Sequence, residues 1–217
     1  MKGMIINMKA TILFHSISGR SYDLAEAIAA GIRSVEDCTA DIYRVQDTYT
    51  DEEIRFISPQ RERWAHIPEA KWGDLSVIEN VDAIVVGGPV YFGQISGPVY
   101  EWLQHTAAKP WLAGTLNGVA SGAFAACASQ NGGAEEAIRN MHTTLLHFGM
   151  VVVPFPNSGS VPEMRQHDVP IGGTCYGPSV AAGAGPTFRT IHDMEISLGK
   201  KYGVFLAGIA KALKAAR

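Results

Sequence analysis

The sequence predicts an α/β fold in which a doubly wound parallel sheet carries helices on both faces. Three observations support this prediction. Short β-branched or apolar runs alternate with stretches whose apolar residues recur at helical spacing. One run, Val81 to Val86, is apolar almost throughout, as is typical of a strand covered on both faces. Loops rich in glycine, small or aromatic residues follow three of the predicted strands, at the end of the sheet where such folds bind ligands.

The first half of the chain contains three predicted strands. Thr11 to Phe14 is the first, and a helix with a clear apolar stripe begins after it at Arg20. That stripe consists of Leu24, Ala25, Ile28, Ala29 and Ile32. Ala40 to Val45 and Val81 to Val86 are the next two strands, and Pro98 can open the helix that follows.

The second half continues the alternation. Gly118 to Ala126 predicts a strand rich in small residues, and Met150 to Val153 predicts another. Between them lies a helix stripe formed by Ala134, Ile138, Met141, Leu145 and Phe148. The last helix is predicted from about Thr187, with Ile191, Leu198, Tyr202, Phe205, Ile209 and Leu213 on one face.

The whole chain, residues 1–217, is interpreted as one domain with two insertions. The insertions cover about residues 47–80, which are polar with scattered Trp and Pro, and 154–186, which are rich in Gly and Pro. Segments of such length inside a compact domain usually serve a function. No internal repeat or low-complexity linker suggests a second domain.

Composition excludes several classes of function. A net charge of -3 argues against a nucleic-acid partner, which calls for a basic face. No window approaches the roughly 20 apolar residues of a membrane span, and the start lacks the apolar core of a signal peptide. Cys38, Cys127 and Cys175 form no C-x-x-C pair, which indicates reduced thiols in a cytoplasmic protein and no metal site.

A phosphate site is predicted directly after the first strand. The segment Ser16-Ile17-Ser18-Gly19-Arg20-Ser21 leads into a helix whose N-terminal amides attract an anion. The hydroxyls can donate to phosphate oxygens, and Gly19 allows a close backbone approach. An ordinary Ser-capped helix remains the alternative. The motif is neither G-x-G-x-x-G nor a Walker loop, which disfavours dinucleotide and ATP sites.

Two further loops would lie beside the phosphate loop in a parallel sheet. Residues 87–97 are aromatic and glycine-rich, and residues 127–133 are again glycine-rich before a helix. Ligands of open α/β sheets bind beyond the carboxyl ends of the strands where the strand order reverses. The three loops together therefore predict a nucleotide site.

The motifs resemble one flavoprotein family. Ser16 to Ser21 is similar to the flavodoxin phosphate signature, and Val85 to Gly97 looks like the isoalloxazine loop of the WrbA-type NAD(P)H:quinone oxidoreductases. These form a tetrameric FMN branch of the flavodoxin-like superfamily. The Gly-Gly-Thr-Cys-Tyr-Gly segment at 172–177 is similar too, and the resemblance runs from about Ala10 through the C-terminal helix.

The resemblance implies a flavodoxin-like sheet of five strands in the order 2-1-3-4-5, with bound FMN. It implies no catalytic side chain, because FMN carries the chemistry. Its implied cofactor contacts are Ser16, Ile17, Ser18, Gly19, Arg20 and Ser21 for the phosphate end, Pro89, Val90, Tyr91, Phe92 and Gly93 for the ring, and Ser129, Gln130, Asn131, Gly132 and Gly133 on the other side. Its implied substrate pocket consists of Tyr91, Phe92, Trp111 and Phe148, with Trp111 a candidate contribution from a neighbouring subunit.

The implied activity is two-electron transfer from NADH or NADPH to a quinone, by a ping-pong mechanism, in a homo-oligomer that is a tetramer or a dimer. Two residues depart from the family: Tyr91 stands where Arg is common, and Phe148 stands where a second His is common. Phe148 could equally be a core residue. Three alternatives remain: a flavodoxin-type electron carrier, an FMN reductase acting on nitro or azo compounds, and a binding protein that has lost its flavin.

Overall fold

The computed structural model describes residues 7–50, 52–53, 65–184 and 189–217. Eight strands form its central sheet. They are β1 (Met8–Phe14), β2 (Cys38–Val45), β3 (Glu69–Ala70), β4 (Ala83–Tyr91), β5 (Gln94–Ile95), β6 (Ala120–Cys127), β7 (Val151–Val152) and β8 (Ser179–Ala181). All eight pair in parallel except β5, which forms an antiparallel hairpin with β4.

The strands lie in the order β3-β2-β1-β4-β6-β7, and β8 also pairs with β6. The predicted α/β class with a parallel sheet is confirmed, but the sheet has eight strands where five were expected. Two short strands share one edge of β6: β7, which lies within the predicted strand Met150 to Val153, pairs with Ala120 and Ser121 at its start, whereas the unpredicted β8 pairs with residues 125–127 at its end. The second insertion leaves the sheet between these two strands and returns to it.

Six helices cover the two faces. They are α1 (Arg20–Arg33), α2 (Gly97–Thr106), α3 (Ala108–Ala113), α4 (Ala134–His147), α5 (Asn157–Arg165) and α6 (Asp193–Ala216). Residues of α1 and α6 share one buried cluster with one side of the sheet, including Ile28 and Tyr202. Residues of α2 and α4 share the opposite cluster, including Trp102 and Met141. None of the helices in these described ranges is long and apolar enough to cross a membrane.

The final helix begins later than predicted. It starts at Asp193 because His192 caps it: the His192 side chain accepts from the Met194 amide, and Glu195 accepts from the His192 amide. Thr187, the predicted start, lies outside the described residues. The predicted face residues Leu198 and Tyr202 are buried, but Phe205 is exposed and the buried face continues through Leu206.

The first insertion contains β3 and a short 3₁₀ turn at Leu75–Val77. Residues 51 and 54–64 of this insertion lie outside the described residues. The second insertion contains α5 and β8, and its residues 185–188 are likewise outside them.

The connections create a crevice between β1 and β4. The helix after β1 covers one face of the sheet, whereas the helix after β4 covers the other. The loops that follow two neighbouring parallel strands therefore diverge at this point, which is the position where open α/β sheets bind ligands.

Candidate functional site

The loop after β1 ends in an open helix N-terminus. Gly19 is the N-cap residue of α1, with a φ of 88°, and no side chain among the described residues makes a capping hydrogen bond to Gly19 or the first turn. The nearby Ser16 hydroxyl instead accepts a hydrogen bond of 3.0 Å from the Gly19 amide. The predicted alternative of a Ser-capped helix is therefore not what the loop adopts.

The same loop holds an unused buried hydroxyl. Ser21 Oγ is buried and has no hydrogen-bond partner in the described part of the chain. A buried polar atom without a partner costs free energy unless a ligand satisfies it. An open helix N-terminus beside a buried donor fits a phosphate group, and thus fits the phosphate end of FMN.

Arg20 differs from its neighbours in the loop. Its side chain is buried and forms an ion pair with Asp23 one turn later in α1. The guanidinium charge is thereby balanced within the helix. Arg20 would therefore contribute to anion binding through its backbone amide in the first turn of α1, where the amides carry partial positive charge, and not through its side-chain charge.

The second predicted loop is a tight hairpin. β4 and β5 are joined by Phe92 and Gly93, both with positive φ, at 50° and 76°. Such two-residue turns normally place Asn and Gly at these positions. Phe92 is fully exposed, with a relative accessibility of 103%, and Tyr91 beside it is half exposed. Pro89 and Val90 are partly buried where the hairpin joins the sheet.

The third loop touches the hairpin. Gly133, the N-cap residue of α4, has a φ of 87°, and a Cβ at this position would lie 3.4 Å from Gly93 Cα. Asn140 Nδ2 donates to the Gly93 carbonyl at 3.2 Å. Ser129 and Gly132 close the loop through a backbone hydrogen bond of 3.1 Å. Gln130 and Asn131 lie at its exposed tip. The second and third predicted loops therefore form one wall.

A cleft of about 530 Å³ lies between the third loop and the second insertion. Its lining includes Ser129, Gln130 and Asn131 from the loop and Gly172 and Thr174 from the insertion. Sequence reasoning did not place the insertion at this site. The pairing that brings it there, β6 with β8, joins residues more than fifty positions apart and leaves no local signal.

Cys127 lies at the base of this cleft as a buried thiol. Burial raises its pKa, and Sγ donates to the Ser129 carbonyl at 3.1 Å. A protonated, hydrogen-bonded thiol behaves as a small apolar side chain rather than a nucleophile. Among the described residues, no cluster of His, Cys, Asp or Glu is arranged to hold a metal ion.

The four predicted substrate-pocket residues fall into two groups. Trp111 and Phe148 line a cleft of about 310 Å³ between α2, α3 and α4, together with Tyr100. Tyr91 and Phe92 do not line this cleft but project from the hairpin. Phe148 also packs against the core cluster on this face, and its role in a substrate pocket stays a prediction.

Three further residues connect the loops. His15 Nδ1 lies 2.8 Å from Ser96 Oγ, and His15 Nε2 lies 3.4 Å from Asp47 Oδ2. Asp47 and Tyr49 both contribute to raising the pKa of Tyr91, although burial of Tyr91 is the largest cause. The loop after β2 therefore adjoins the hairpin as well. Sequence reasoning assigned these residues no role, although His15 adjoins the phosphate loop and Ser96 lies within residues 87–97, because contacts across the sheet leave no local pattern.

Comparison with known proteins identifies relatives over nearly the whole chain. The model of the family described as NADPH-dependent FMN reductase matches residues 8–160. A protein named NAD(P)H dehydrogenase (quinone) from Geobacter metallireducens is 37% identical over 210 residues, covering 95% of this chain and all of that protein. A protein of the same name from Trichlorobacter lovleyi is 34% identical over 209 residues, covering 95% and 99%.

Solved structures show the same fold. A WrbA-like flavodoxin from Agrobacterium tumefaciens has a TM-score of 0.62 at 17% identity, covering 94% of this chain and 98% of that one. A flavodoxin from the domain Archaea has a TM-score of 0.57 at 18% identity, covering 95% and 99%. Both likenesses support a flavodoxin-like arrangement of sheet and helices.

Proposed function

This chain belongs to the family of NADPH-dependent FMN reductases, and from that membership we propose that it is an FMN-dependent oxidoreductase that transfers two electrons from NADH or NADPH to quinones. The observation that carries the proposal is the open N-terminus of α1 with the unpartnered hydroxyl of Ser21, set beside the hairpin and the third loop. The name NAD(P)H dehydrogenase (quinone), borne by relatives of matching length, supports the choice of substrates.

The residues proposed to hold FMN come from all three loops. The phosphate would lie at the start of α1, within reach of Ser21 and of the backbone amides of the first turn. The hairpin from Pro89 to Gly93 would form one wall for the ring. Ser129 to Gly133 would form the adjoining wall, since this loop touches the hairpin at Gly93.

The chemistry that FMN supplies when bound is two-electron exchange between nicotinamide and quinone. The chain contributes binding and orientation. The backbone of the hairpin offers polar groups at the ring edge, and the exposed rings of Tyr91 and Phe92 provide an apolar surface that excludes water from a flat substrate. One open slot would accept the nicotinamide and the quinone in turn, so the expected kinetics are ping-pong, with parallel double-reciprocal lines.

The substrate slot is proposed to be completed by a second copy of the chain. Trp111 and Leu112 are exposed on α3, and Trp111 lies in a different cleft from the hairpin aromatics. A homo-oligomer, as a tetramer or a dimer, would cover such apolar residues and bring an aromatic side chain to a neighbour's slot. A cytoplasmic location is proposed from three cysteines that are all free thiols.

An anaerobic absorbance titration tests the proposal. FMN-loaded protein receives NADH or NADPH, and benzoquinone follows. Bleaching of the flavin bands by two electrons, reversed by the quinone, is the expected result, and the faster nucleotide is the preferred donor. Bound flavin that neither nucleotide reduces would support the electron carrier instead. Failure to bind FMN would overturn the site itself.

A further inference from the structure

A buried polar network lies beneath the three loops. His15, which directly precedes the phosphate loop, is 2% exposed in its side chain, and Asp47 is 10% exposed. Ser96, which follows β5, is equally buried. The His15 ring lies between Ser96 and Asp47: Nδ1 is hydrogen-bonded to Ser96 Oγ at 2.8 Å, whereas Nε2 lies 3.4 Å from Asp47 Oδ2 and makes no hydrogen bond within the described part of the chain. The network therefore links the ends of β1, β2 and the hairpin.

Ser96 makes this contact instead of capping a helix. It is the N-cap residue of α2, a position at which Ser normally accepts from an amide of the first turn, yet it makes no such bond. Helix caps contribute measurably to stability. The Ser96 hydroxyl is instead directed to a histidine 81 positions away.

The sheet leaves room for the network at Gly88. A Cβ on this residue would lie 3.0 Å from Ser96 Oγ and 3.4 Å from the His15 carbonyl. The His15 amide meanwhile donates to the Gly87 carbonyl at 3.1 Å, extending the β1–β4 ladder by one step. The base of the hairpin is thus packed directly on His15.

We propose that His15 is a positioning residue of the flavin site, which holds the Tyr91–Phe92 hairpin in register with the phosphate loop through Ser96 and Asp47. The hairpin and the phosphate loop are otherwise separate segments that must both meet one rigid ligand. A network that fixes the distance between these two segments in the apoprotein lowers the entropic cost of ordering them when the ligand binds. The proposal rests on the proposed function, since the ligand that it orders is FMN.

The variant S96A tests the link with little disturbance. Because Ser96 caps nothing, the substitution removes only its bond to His15. The matched control is T11V. Thr11 lies in β1, the strand that leads to His15, and its buried hydroxyl donates to the Val77 carbonyl at 2.7 Å. Both variants lose one buried hydrogen bond, but only one of them adjoins the loops.

The measurements are the FMN dissociation constant, by quenching of flavin fluorescence, the visible circular dichroism of bound FMN, and the melting temperature of the apoprotein. We expect S96A to weaken FMN binding about tenfold and to alter the dichroism, because a buried partner is left unsatisfied beneath the hairpin. T11V should lower the melting temperature and leave the dissociation constant within about twofold of the native value. The variant H15N, whose side-chain amide can replace Nδ1 as the hydrogen-bond partner of Ser96, should retain most of the native affinity for FMN.

Equal effects of S96A and T11V on FMN binding, at equal loss of melting temperature, would overturn the positioning role and leave a purely structural network. So would an unchanged dichroism spectrum in S96A. Native protein that binds no FMN would instead refute the proposed function, so the two failures are distinguishable.

Discussion

Phe92 combines backbone strain with full exposure. A non-glycine residue at a φ of 50° costs roughly 1 kcal/mol or more, and its exposed ring recovers nothing from packing within the chain. Residues held in sparsely populated conformations cluster at functional sites. We therefore interpret the strain at Phe92 as the cost of presenting an aromatic ring to a ligand.

The variant F92N tests this interpretation. Asn tolerates the left-handed conformation and is favoured in two-residue hairpin turns, so the apoprotein should gain about 1 kcal/mol in unfolding free energy. FMN binding and quinone turnover should both weaken, because the apolar surface is lost. Chemical denaturation of apoprotein and flavin titration provide the two measurements. A variant that is destabilised and binds FMN normally would contradict the interpretation.

At the scale of elements, the close contact of α1 with α6 depends on glycines. A Cβ at Gly203 would lie 2.2 Å from the Ile28 carbonyl oxygen, and one at Gly31 would lie 2.1 Å from that of Lys200. The two helices therefore approach with backbone against backbone. This contact positions α1, whose N-terminus is the proposed phosphate site.

The variant G203A should be destabilised by about 3 kcal/mol, since overpacking forces the helices apart. Its matched control is G208A in the same helix, where a Cβ meets nothing within 4 Å. That variant should gain about 1 kcal/mol from helix propensity. Urea denaturation of both proteins checks the pair, and similar stabilities would show that the contact can relax.

Helix α4 contains a half-buried histidine whose Nε2 atom is shielded from solvent. Burial lowers the pKa of His142 to about 4 from an ordinary value of 6.5, and its Nε2 has no hydrogen-bond partner among the described residues. The unfolded chain therefore binds a proton at a higher pH than the folded chain does. Protonation favours the unfolded state, so the unfolding free energy should fall as the pH drops from about 7 to 4.

The variant H142L should show a flatter dependence of unfolding free energy on pH over that range. The control is T143L on the same helix, because Thr143 is exposed and carries no titratable group, so the slope should stay as it is. Urea denaturation at several pH values measures the slopes. An H142L slope equal to the native one would show that other groups control the acid sensitivity.

At the scale of the whole molecule, the exposed apolar residues on α3 lie apart from the hairpin aromatics. Trp111 is 52% exposed and Leu112 is 77% exposed. Apolar residues of this size in neighbouring positions are typical of interfaces. The proposed oligomer would cover them.

The variant L112D should dissociate the oligomer, because assembly would bury an unpaired charge. FMN binding should persist, since Leu112 is remote from the three loops, whereas quinone turnover should fall. Light scattering after size exclusion measures the mass. A native monomer, or an L112D oligomer with full turnover, would contradict the assembly proposed here.

The sequence by itself determined the α/β class and the identity of the three loops, because hydrophobic period and glycine placement are local properties. It also indicated the phosphate segment, although only the structure shows Gly19, and not a serine, at the N-cap position of α1. The roles assigned to the loop residues stay predictions until flavin binding is measured.

Only the tertiary structure decided how distant segments meet. The pairing of the unpredicted strand β8 with β6 brings the second insertion to the site. The network of His15, Ser96 and Asp47 joins three loops that carry no shared motif. These contacts depend on strand register and on side-chain geometry across the sheet. Contacts between residues so far apart produce no repeating pattern of residue types along the chain, which is why the sequence alone did not reveal them.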